Sequence, residues 1–163
     1  MTNAEIELNL EKALARFLDT EADLLEIGIN ERSLTHKLTE CIKEYFPKDF
    51  DVDCEYNRNG EIPKQLMSLH FGVVGAFDPE GKTVYPDIIV HKRRMSGSNI
   101  LVIEVKKEKG SSSNDLKKLQ FFTSDEFIYK YRFGVFIRFK SKDEKPEKIW
   151  FSRGSRIENP MDQ

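Results

Sequence analysis

The segment "NILVIEVKK", from Asn99 to Lys107, constrains the fold more than any other part of the sequence. Its apolar and β-branched residues predict a buried strand, yet Glu104 and Lys106 lie near its end. Burying a charge is costly unless the charge is paired or binds a metal. Because side chains alternate along a strand, Glu104 and Lys106 lie on the same face. These residues mark either a structural ion pair at a strand end or a site that carries out chemistry.

The stretch before this strand, "TVYPDIIVHKRR", predicts the strand that pairs with it, because only the short turn "MSGS" lies between them. Asp87 interrupts its apolar residues directly after Pro86, a residue that cannot donate to a sheet ladder and that marks strand starts. Paired strands lie about 5 Å apart, so Asp87 and Glu104 can converge on one point. Taken alone, Asp87 also fits an ordinary carboxylate at a strand start.

Two converging carboxylates predict a site for Mg²⁺ or Mn²⁺, because these hard cations prefer oxygen ligands. Lys106 follows Glu104 by two residues, points to the same side and reaches the same site. A bound metal lowers the pKa of a water molecule, and an ammonium group stabilises the charge that develops during phosphodiester cleavage. The three residues therefore predict metal-dependent hydrolysis of a phosphodiester bond.

Helical periodicity predicts two helices before the strands. The first is an acidic helix from about Thr2 to Leu18, in which Thr2 and Glu5 fit a capping box. The second runs from the N-cap Asn30 to about Phe46, because Pro47 stops it. Further predicted elements are a strand at about 51–57, a helix that Ser113 or Asn114 caps and that runs to about Thr123, and strands at "YRFGVFIRFK" and "KIWFSR", the last of them at a sheet edge.

This order of elements predicts an α/β (α+β) domain with a central mixed sheet, flanking helices and an extra N-terminal helix. A chain of 163 residues fits a single domain, residues 1–163. Within it we distinguish an N-terminal acidic helix at 1–28, a core at 30–140 and a polar, flexible tail at 152–163.

Charge is distributed unevenly along the chain. The formal net charge is -2, yet residues 1–31 carry eight acidic and two basic residues, whereas residues 82–140 carry thirteen basic and six acidic residues. Local fields govern binding to a polyanion, so the basic part favours a nucleic-acid partner, although a solvated mixed surface has the same pattern. The candidate phosphate contacts are Arg32, Arg58, Lys92, Arg93, Lys107, Lys117 and Lys118.

Neither a membrane span nor export is expected. No run approaches the roughly 20 apolar residues that a span needs, and the acidic N-terminus is unlike a signal peptide. Cys41 and Cys54 form neither a disulfide framework nor a metal-ligand spacing, which favours reduced thiols in a cytoplasmic protein. The apolar stripe of the N-terminal helix is a candidate interface for a homodimer.

Pro86 and Asp87, followed after sixteen intervening residues by Glu104-Val105-Lys106, resemble the motif of the PD-(D/E)XK nuclease superfamily. That superfamily includes restriction endonucleases and archaeal Holliday-junction resolvases. Its core has a helix, three strands, a helix and a further strand, which is similar to the order expected here from Asn30 to Lys140. The chain is also similar to bacterial proteins that carry "VDCEYNR", "PDIIVH" and "LVIEVKK".

The resemblance implies that Asp87 and Glu104 ligate Mg²⁺ with help from the Val105 carbonyl, and that Lys106 orients the attacking water. Resolvase-like members carry a glutamate in the first core helix that joins the metal site. Glu31 lies at the matching place and would complete the acidic set, directly or through water.

The resemblance also favours cleavage of DNA within a strand. The exonuclease branch has a Gln-x-x-x-Tyr pattern in its second core helix. Here Gln120 is followed by Ser124 at the tyrosine position, which indicates an endonuclease.

The same residues leave other interpretations open. His36 and His91 are possible auxiliary site residues, although each also fits an ordinary surface or structural histidine. Glu31 also fits the preference of a helix N-terminus for a carboxylate. The alternative function is a catalytically silent module of the same fold that binds nucleic acid or protein within a larger defence or repair system. A third interpretation is an unrelated α+β domain in which Glu104 and Lys106 form a structural ion pair.

Overall fold

The computed structural model describes residues 1–55, 58–59, 62–63, 85–93, 95, 97–107 and 110–163, with residues 58–59 and 62–63 described by their backbone alone. In chain order its elements are α1 (Asn3–Thr20), α2 (Asp23–Glu26), α3 (Glu31–Tyr45), β1 (Asp51–Cys54), β2 (Arg58–Asn59), β3 (Ile62–Pro63), β4 (Ile88–His91), β5 (Leu101–Lys107), α4 (Ser113–Thr123), β6 (Phe133–Phe139), β7 (Glu147–Ser152), β8 (Ser155–Ile157) and a 3-10 helix (Pro160–Asp162). None of the described helices has the length and apolarity needed to cross a membrane.

Six strands form one mixed sheet in the order β1-β4-β5-β6-β7-β8, and β2 pairs separately with β3. β5 and β6 are parallel because α4 carries the chain between them, whereas the other neighbouring strands of this sheet are antiparallel. The predicted class, a mixed sheet flanked by helices, is confirmed. The predicted pairing of the strands on either side of residues 92–100 is also confirmed.

Different helices cover the two faces of the sheet. α1 and α3 pack on the face that carries Ile103 and Val105. α4 packs on the opposite face, where Leu119 contacts the cluster that contains Val102. Because side chains alternate along β5, Glu104 lies on the face that α4 covers.

Two of the three predicted N-caps are confirmed, whereas the cap expected at Ser113 or Asn114 is wrong, because α4 begins at Ser113 and its N-cap position is Ser112, whose side chain makes no capping hydrogen bond. Thr2 Oγ1 accepts a hydrogen bond from the Glu5 amide (3.2 Å), and Glu5 Oε2 accepts one from the Thr2 amide (2.6 Å). Asn30 Oδ1 accepts a hydrogen bond from the Ser33 amide (2.8 Å). α3 therefore begins at Glu31, whose carboxylate lies in the first turn of the helix.

The apolar stripe of α1 is used within the chain. Its residues are at most 3% exposed and pack with α3 and the sheet; they are Ile6, Leu10, Ala13, Leu14 and Phe17. The stripe was our reason for placing a homodimer interface on this helix, and that reason is wrong because a buried stripe is not available to a second copy. A homodimer itself stays a prediction.

The C-terminal tail is built into the fold, contrary to the flexible extension that we expected. β7 is not an edge strand, because β8 pairs with it. Arg153 and Gly154 connect the two strands with φ values of 49° and 73°, the two left-handed residues that a type I′ hairpin turn requires. Pro160 is buried, and the Gln163 carbonyl accepts a hydrogen bond from the Asn3 side chain (2.9 Å), which joins the tail to α1.

Part of the predicted pattern lies outside the described residues. Residues 56–57, at the end of the expected first strand, belong to this part. So do most of the stretch at 58–82 and the start of "TVYPDIIVHKRR". The side chain of Arg58, a predicted phosphate contact, is also outside the described part of the chain.

Candidate active site

The register of β4 and β5 brings Asp87 opposite Glu104. Ile88 pairs with Ile103, so Asp87, the residue before β4, stands across from Glu104 at the end of the ladder. Lys106 follows on the same face of β5. One end of the sheet therefore brings together the two carboxylates and the ammonium group that we predicted to share a site.

Asp87 is held against the backbone of β5. Its Oδ2 accepts a hydrogen bond from the Val105 amide (2.7 Å). Burial raises the pKa of Asp87 despite this hydrogen bond and the Lys118 charge, and the carboxylates of Asp115 and Glu31 raise it further. Asp87 is thus fixed in position among like charges, where a cation would stabilise its ionised form.

Glu104 is 2% exposed. Its Oε2 accepts a hydrogen bond from Lys118 Nζ, whereas its Oε1 is buried and has no hydrogen-bond partner among the described residues. Burial, and after it the charge of Asp87, raises the pKa of Glu104 well above its ordinary value. A buried carboxylate oxygen without a hydrogen-bond partner is unfavourable. A hydrogen-bond donor or a cation at Glu104 Oε1 would remove this cost.

Lys106 lies between two carboxylates of the site. Its Nζ is 3.4 Å from Glu31 Oε2 and 3.9 Å from Asp115 Oδ2. The predicted structural ion pair between Glu104 and Lys106 is therefore wrong. Glu104 pairs with Lys118 of α4 instead. Gly110 lies against the Lys106 stem with a φ of +142°, and a Cβ there would be 3.3 Å from Lys106 Cε. Any larger residue at position 110 would be strained and would crowd this lysine.

Glu31 reaches the site from the helix on the other face of the sheet. Its Oε1 accepts a hydrogen bond from the Lys107 amide (3.3 Å), and its Oε2 contacts Lys106 Nζ. The first turn of α3 favours a carboxylate, because the helix dipole is positive there. The structure thus brings Glu31 to the same end of the sheet as Asp87 and Glu104.

Two residues of α4 complete the site. Asp115, which we did not single out in the sequence, is 17% exposed and lies 3.5 Å from Lys118 Nζ. Lys118 was predicted to contact phosphate, but its ammonium group points inward to Glu104. A sequence signal existed, because Asp115, Lys118 and the buried Phe122 recur at helical spacing and share the face that packs on the sheet.

We call these six residues the acidic cluster: Glu31, Asp87, Glu104 and Asp115 with Lys106 and Lys118. When all are ionised, four carboxylates face two ammonium groups, which leaves two negative charges in excess. A divalent cation would offset that excess, and the unpartnered Oε1 of Glu104 is a free ligand atom. The donor set therefore fits Mg²⁺ or Mn²⁺.

No three Asp, Glu, His or Cys side chains in the described part of the chain stand together as a ready-made metal site. Two ammonium groups lie between the carboxylates of the cluster. Lys118 bridges Glu104 and Asp115, and Lys106 bridges Glu31 and Asp115. A cation at these carboxylates would meet the ammonium groups at the same oxygens.

Arg138 is a basic residue beside the site that we did not single out in the sequence. The parallel register pairs Arg138 of β6 with Lys106 of β5. Its guanidinium lies 5.2 Å from the Phe136 ring centroid and 3.8 Å from Glu147, and its Nε is buried with no hydrogen-bond partner among the described residues. A third cation, after Lys106 and Lys118, thus lies at the strand position next to Lys106.

The other predicted basic residues lie outside the acidic cluster and mostly bind groups of the chain itself. These pairs are Arg32 with Glu55, Lys92 with Asp49, and Lys107 with the Ile29 carbonyl, at 2.8, 2.8 and 2.6 Å. Lys117 is partly exposed on α4. His36, a possible auxiliary residue, is exposed on α3 and outside the acidic cluster.

His91 and Arg93 belong to a different cluster, at the other end of β4. His91 Nε2 lies 2.9 Å from Asp53 Oδ2, and Arg93 Nε donates to the same oxygen at 2.9 Å. His91 is the fourth residue after Asp87, which is about 13 Å along a strand. His91 is therefore not an auxiliary residue of the acidic cluster, and Arg93 is bound to a carboxylate.

Asp53→Asn is expected to lower the free energy of unfolding by roughly 2 kcal/mol at pH 7, because hydrogen bonds to a charged group are lost. Although burial disfavours its charge, the hydrogen bonds from His91 and Arg93 hold the pKa of Asp53 well below its ordinary value. A lowered carboxyl pKa stabilises the fold above about pH 3.9, the unfolded value, and this contribution is lost as the pH falls through the folded value.

Urea unfolding of wild type and Asp53→Asn at pH 7 and at successively lower pH measures this loss of stability. Asp49→Asn is the matched control, because Asp49 is exposed and binds only Lys92 among the described hydrogen-bond partners. The expected result is a difference from wild type that shrinks as the pH falls. An equal difference at every pH would contradict the role given to the Asp53 charge.

No protein-family model, no curated protein and no solved structure matches this chain. The function of the site is therefore inferred from the contacts described above.

Proposed function

We propose that this protein is a metal-dependent nuclease that hydrolyses phosphodiester bonds of DNA and has the PD-(D/E)XK fold. The observation that carries the proposal is the buried Glu104 carboxylate, with one unpartnered oxygen, opposite Asp87 and on the same strand face as Lys106. Burying a partly satisfied carboxylate beside a second one is unfavourable for stability. A bound divalent cation would offset this cost for the carboxylates of Asp87 and Glu104.

The order of the elements supports the same proposal. With the separate pair β2 and β3 set aside, the elements α3, β1, β4, β5, α4 and β6 run in chain order as a helix, three strands, a helix and a strand. β1, β4 and β5 form an antiparallel meander, and β6 joins β5 in parallel after α4. This is the order of the superfamily core that the motif resembles.

Mg²⁺ or Mn²⁺ would be held by the carboxylates of Asp87 and Glu104 and by the Val105 carbonyl, with Glu31 completing the set. A metal bound by these residues would supply a water of lowered pKa and would offset charge on the phosphate. The hydrogen bond from the Val105 amide orients the Asp87 carboxylate toward β5. Low exposure of Glu104 keeps bulk water from competing for its oxygens.

Lys106 is the residue proposed to orient the attacking water and to stabilise charge in the transition state. Glu31 holds its ammonium group at 3.4 Å, so the lysine is positioned before substrate arrives. Arg138, the next residue across the sheet, adds a partly exposed guanidinium group that suits a phosphate oxygen.

The proposal includes cleavage within a strand and a cytoplasmic location. Cys41 and Cys54 are separate thiols in the structure, which favours a reducing compartment.

A catalytically silent nucleic-acid-binding module is the second candidate. The hydrogen bond from Lys118 to Glu104 favours it, because a carboxylate already bound by an ammonium group does not require a metal. Such a module would keep the fold and bind nucleic acid or protein without turnover.

The test uses closed circular plasmid, a four-way DNA junction, single-stranded DNA and RNA, each with millimolar Mg²⁺ or Mn²⁺ and with chelator. Nicked or linear plasmid that forms only with metal is the expected result, and it establishes an endonuclease because the plasmid has no ends. Binding in a gel-shift assay without cleavage would support the silent module. Neither binding nor cleavage would contradict the nuclease and the nucleic-acid-binding form of the silent module.

A further inference from the structure

Lys118 is directed into the acidic cluster rather than to solvent. Its ammonium group donates to Glu104 Oε2 and lies 3.5 Å from Asp115 Oδ1, and its side chain is 21% exposed. Although burial disfavours its charge, the Glu104 carboxylate raises the pKa of Lys118 above its ordinary value. Lys118 is therefore a charged internal partner of the buried carboxylate.

This contact uses the same carboxylate that a metal would need. A divalent cation bound to Glu104 and Asp87 would stand beside the ammonium group and repel it. The charge of Asp87 also acts on Lys118, so the lysine lies within the field of both proposed ligands. The ammonium group and the metal therefore compete for one position.

We propose that Lys118 is the built-in counter-ion of the metal-free site and that a divalent cation binds by displacing its ammonium group from Glu104. This inference rests on the proposed function, since it takes the acidic cluster to be a metal site. Asp115 lies one turn earlier on the same helix and gives the displaced ammonium group a carboxylate within reach. Rotation of one side chain is then enough to open the site.

Isothermal titration with Mn²⁺ tests the competition directly, in wild type, Lys118→Met, Lys118→Arg and Lys117→Met. Lys118→Met is expected to bind Mn²⁺ roughly tenfold more tightly than wild type, because one competing charge a few ångströms away is removed. Lys118→Arg is expected to bind more weakly, since a guanidinium group binds a carboxylate through two hydrogen bonds. Lys117→Met is the matched control on the same helix and is expected to bind as wild type does.

Thermal melting is the second readout. Without metal, Lys118→Met is expected to melt below wild type, because the buried Glu104 loses its counter-ion. Mn²⁺ is then expected to raise its melting temperature more than it raises that of wild type.

The outcomes separate this inference from the proposed function. If wild type binds Mn²⁺ and Lys118→Met binds it equally or less tightly, the counter-ion role is overturned while the metal site stands. If Lys118→Met does not fold, Lys118→Arg decides, and binding as tight as wild type or tighter overturns the inference. If none of the four proteins binds Mn²⁺, both the inference and the metal site fall.

Discussion

Replacing Glu104 with glutamine is expected to lower metal-dependent DNA cleavage by at least about a thousandfold. The amide keeps the shape of the side chain but removes its charge and one acceptor oxygen. Glu104 is 2% exposed, and its Oε1 has no hydrogen-bond partner among the described residues. Three ionised carboxylates, those of Asp87, Glu31 and Asp115, would then face the charges of Lys106 and Lys118, so the excess of negative charge falls from two to one, which disfavours a divalent cation. Single-turnover cleavage of closed circular plasmid by both proteins measures the loss.

The same substitution is not expected to destabilise the fold. Burial and the nearby Asp87 raise the pKa of Glu104, so its stabilising contribution is full below about pH 4.3 and is lost as the pH rises through the folded value. At pH 8 the glutamine removes an unfavourable buried charge, although Lys118 loses its ionised partner. We therefore expect a melting temperature equal to or above that of wild type.

Glu40→Gln is the matched control for this experiment. Glu40 is exposed on α3, binds Lys37 at 3.0 Å and lies outside the acidic cluster. It is expected to cleave as wild type does. A folded Glu104→Gln protein with wild-type cleavage would exclude Glu104 as a metal ligand. A large drop in its melting temperature would instead indicate that Glu104 serves a structural ion pair.

Replacing Lys106 with methionine is expected to slow cleavage by about a hundredfold to ten-thousandfold, the range typical of a positioned acid–base or charge-stabilising group. The aliphatic stem against Gly110 is kept, and only the ammonium group near Glu31 and Asp115 is lost. Mn²⁺ binding is expected to persist, because the carboxylates of Asp87 and Glu104 are unchanged. Mn²⁺ titration and single-turnover cleavage together separate the chemical step from metal binding.

Lys107→Met is the control for Lys106, because the two lysines are neighbours on opposite faces of β5. Lys107 Nζ donates to the Ile29 carbonyl, away from the acidic cluster. Loss of this hydrogen bond is expected to reduce stability slightly and to leave the rate of the chemical step within a few fold of wild type. Equal losses of cleavage in both variants would contradict a specific role for Lys106.

Elements whose signals are local were predictable. The caps at Thr2 and Asn30 and the end of α3 before Pro47 depend on residues a few positions apart. β8 was not predictable, because Ser155–Ile157 is a short strand whose first two residues are exposed, so no apolar alternation marks it. Its existence depends on β7, which offers it an open edge.

The contacts of the candidate site also divide into those that the sequence predicts and those that it does not. Asp87, Glu104 and Lys106 were predictable because alternation along a strand and the spacing of paired strands are general properties of sheets. The partner of Glu104 was not, because Lys118 approaches it from a helix packed across the sheet. Helical spacing places Asp115 on the same face of α4 as Lys118, but its approach to the site depends on the same packing.

By itself the sequence determined the α/β class and the adjacency of the two central strands. It also determined that Asp87, Glu104 and Lys106 lie on one face of the sheet. Only the tertiary structure decided that Lys118 binds Glu104, that Lys106 binds Glu31 and Asp115, and that Lys92, Arg93 and His91 belong elsewhere. Periodicity records which residues share a face of one element. Ion pairs between elements depend on how a helix lies across a sheet, and that is set by the packing of residues far apart in the chain.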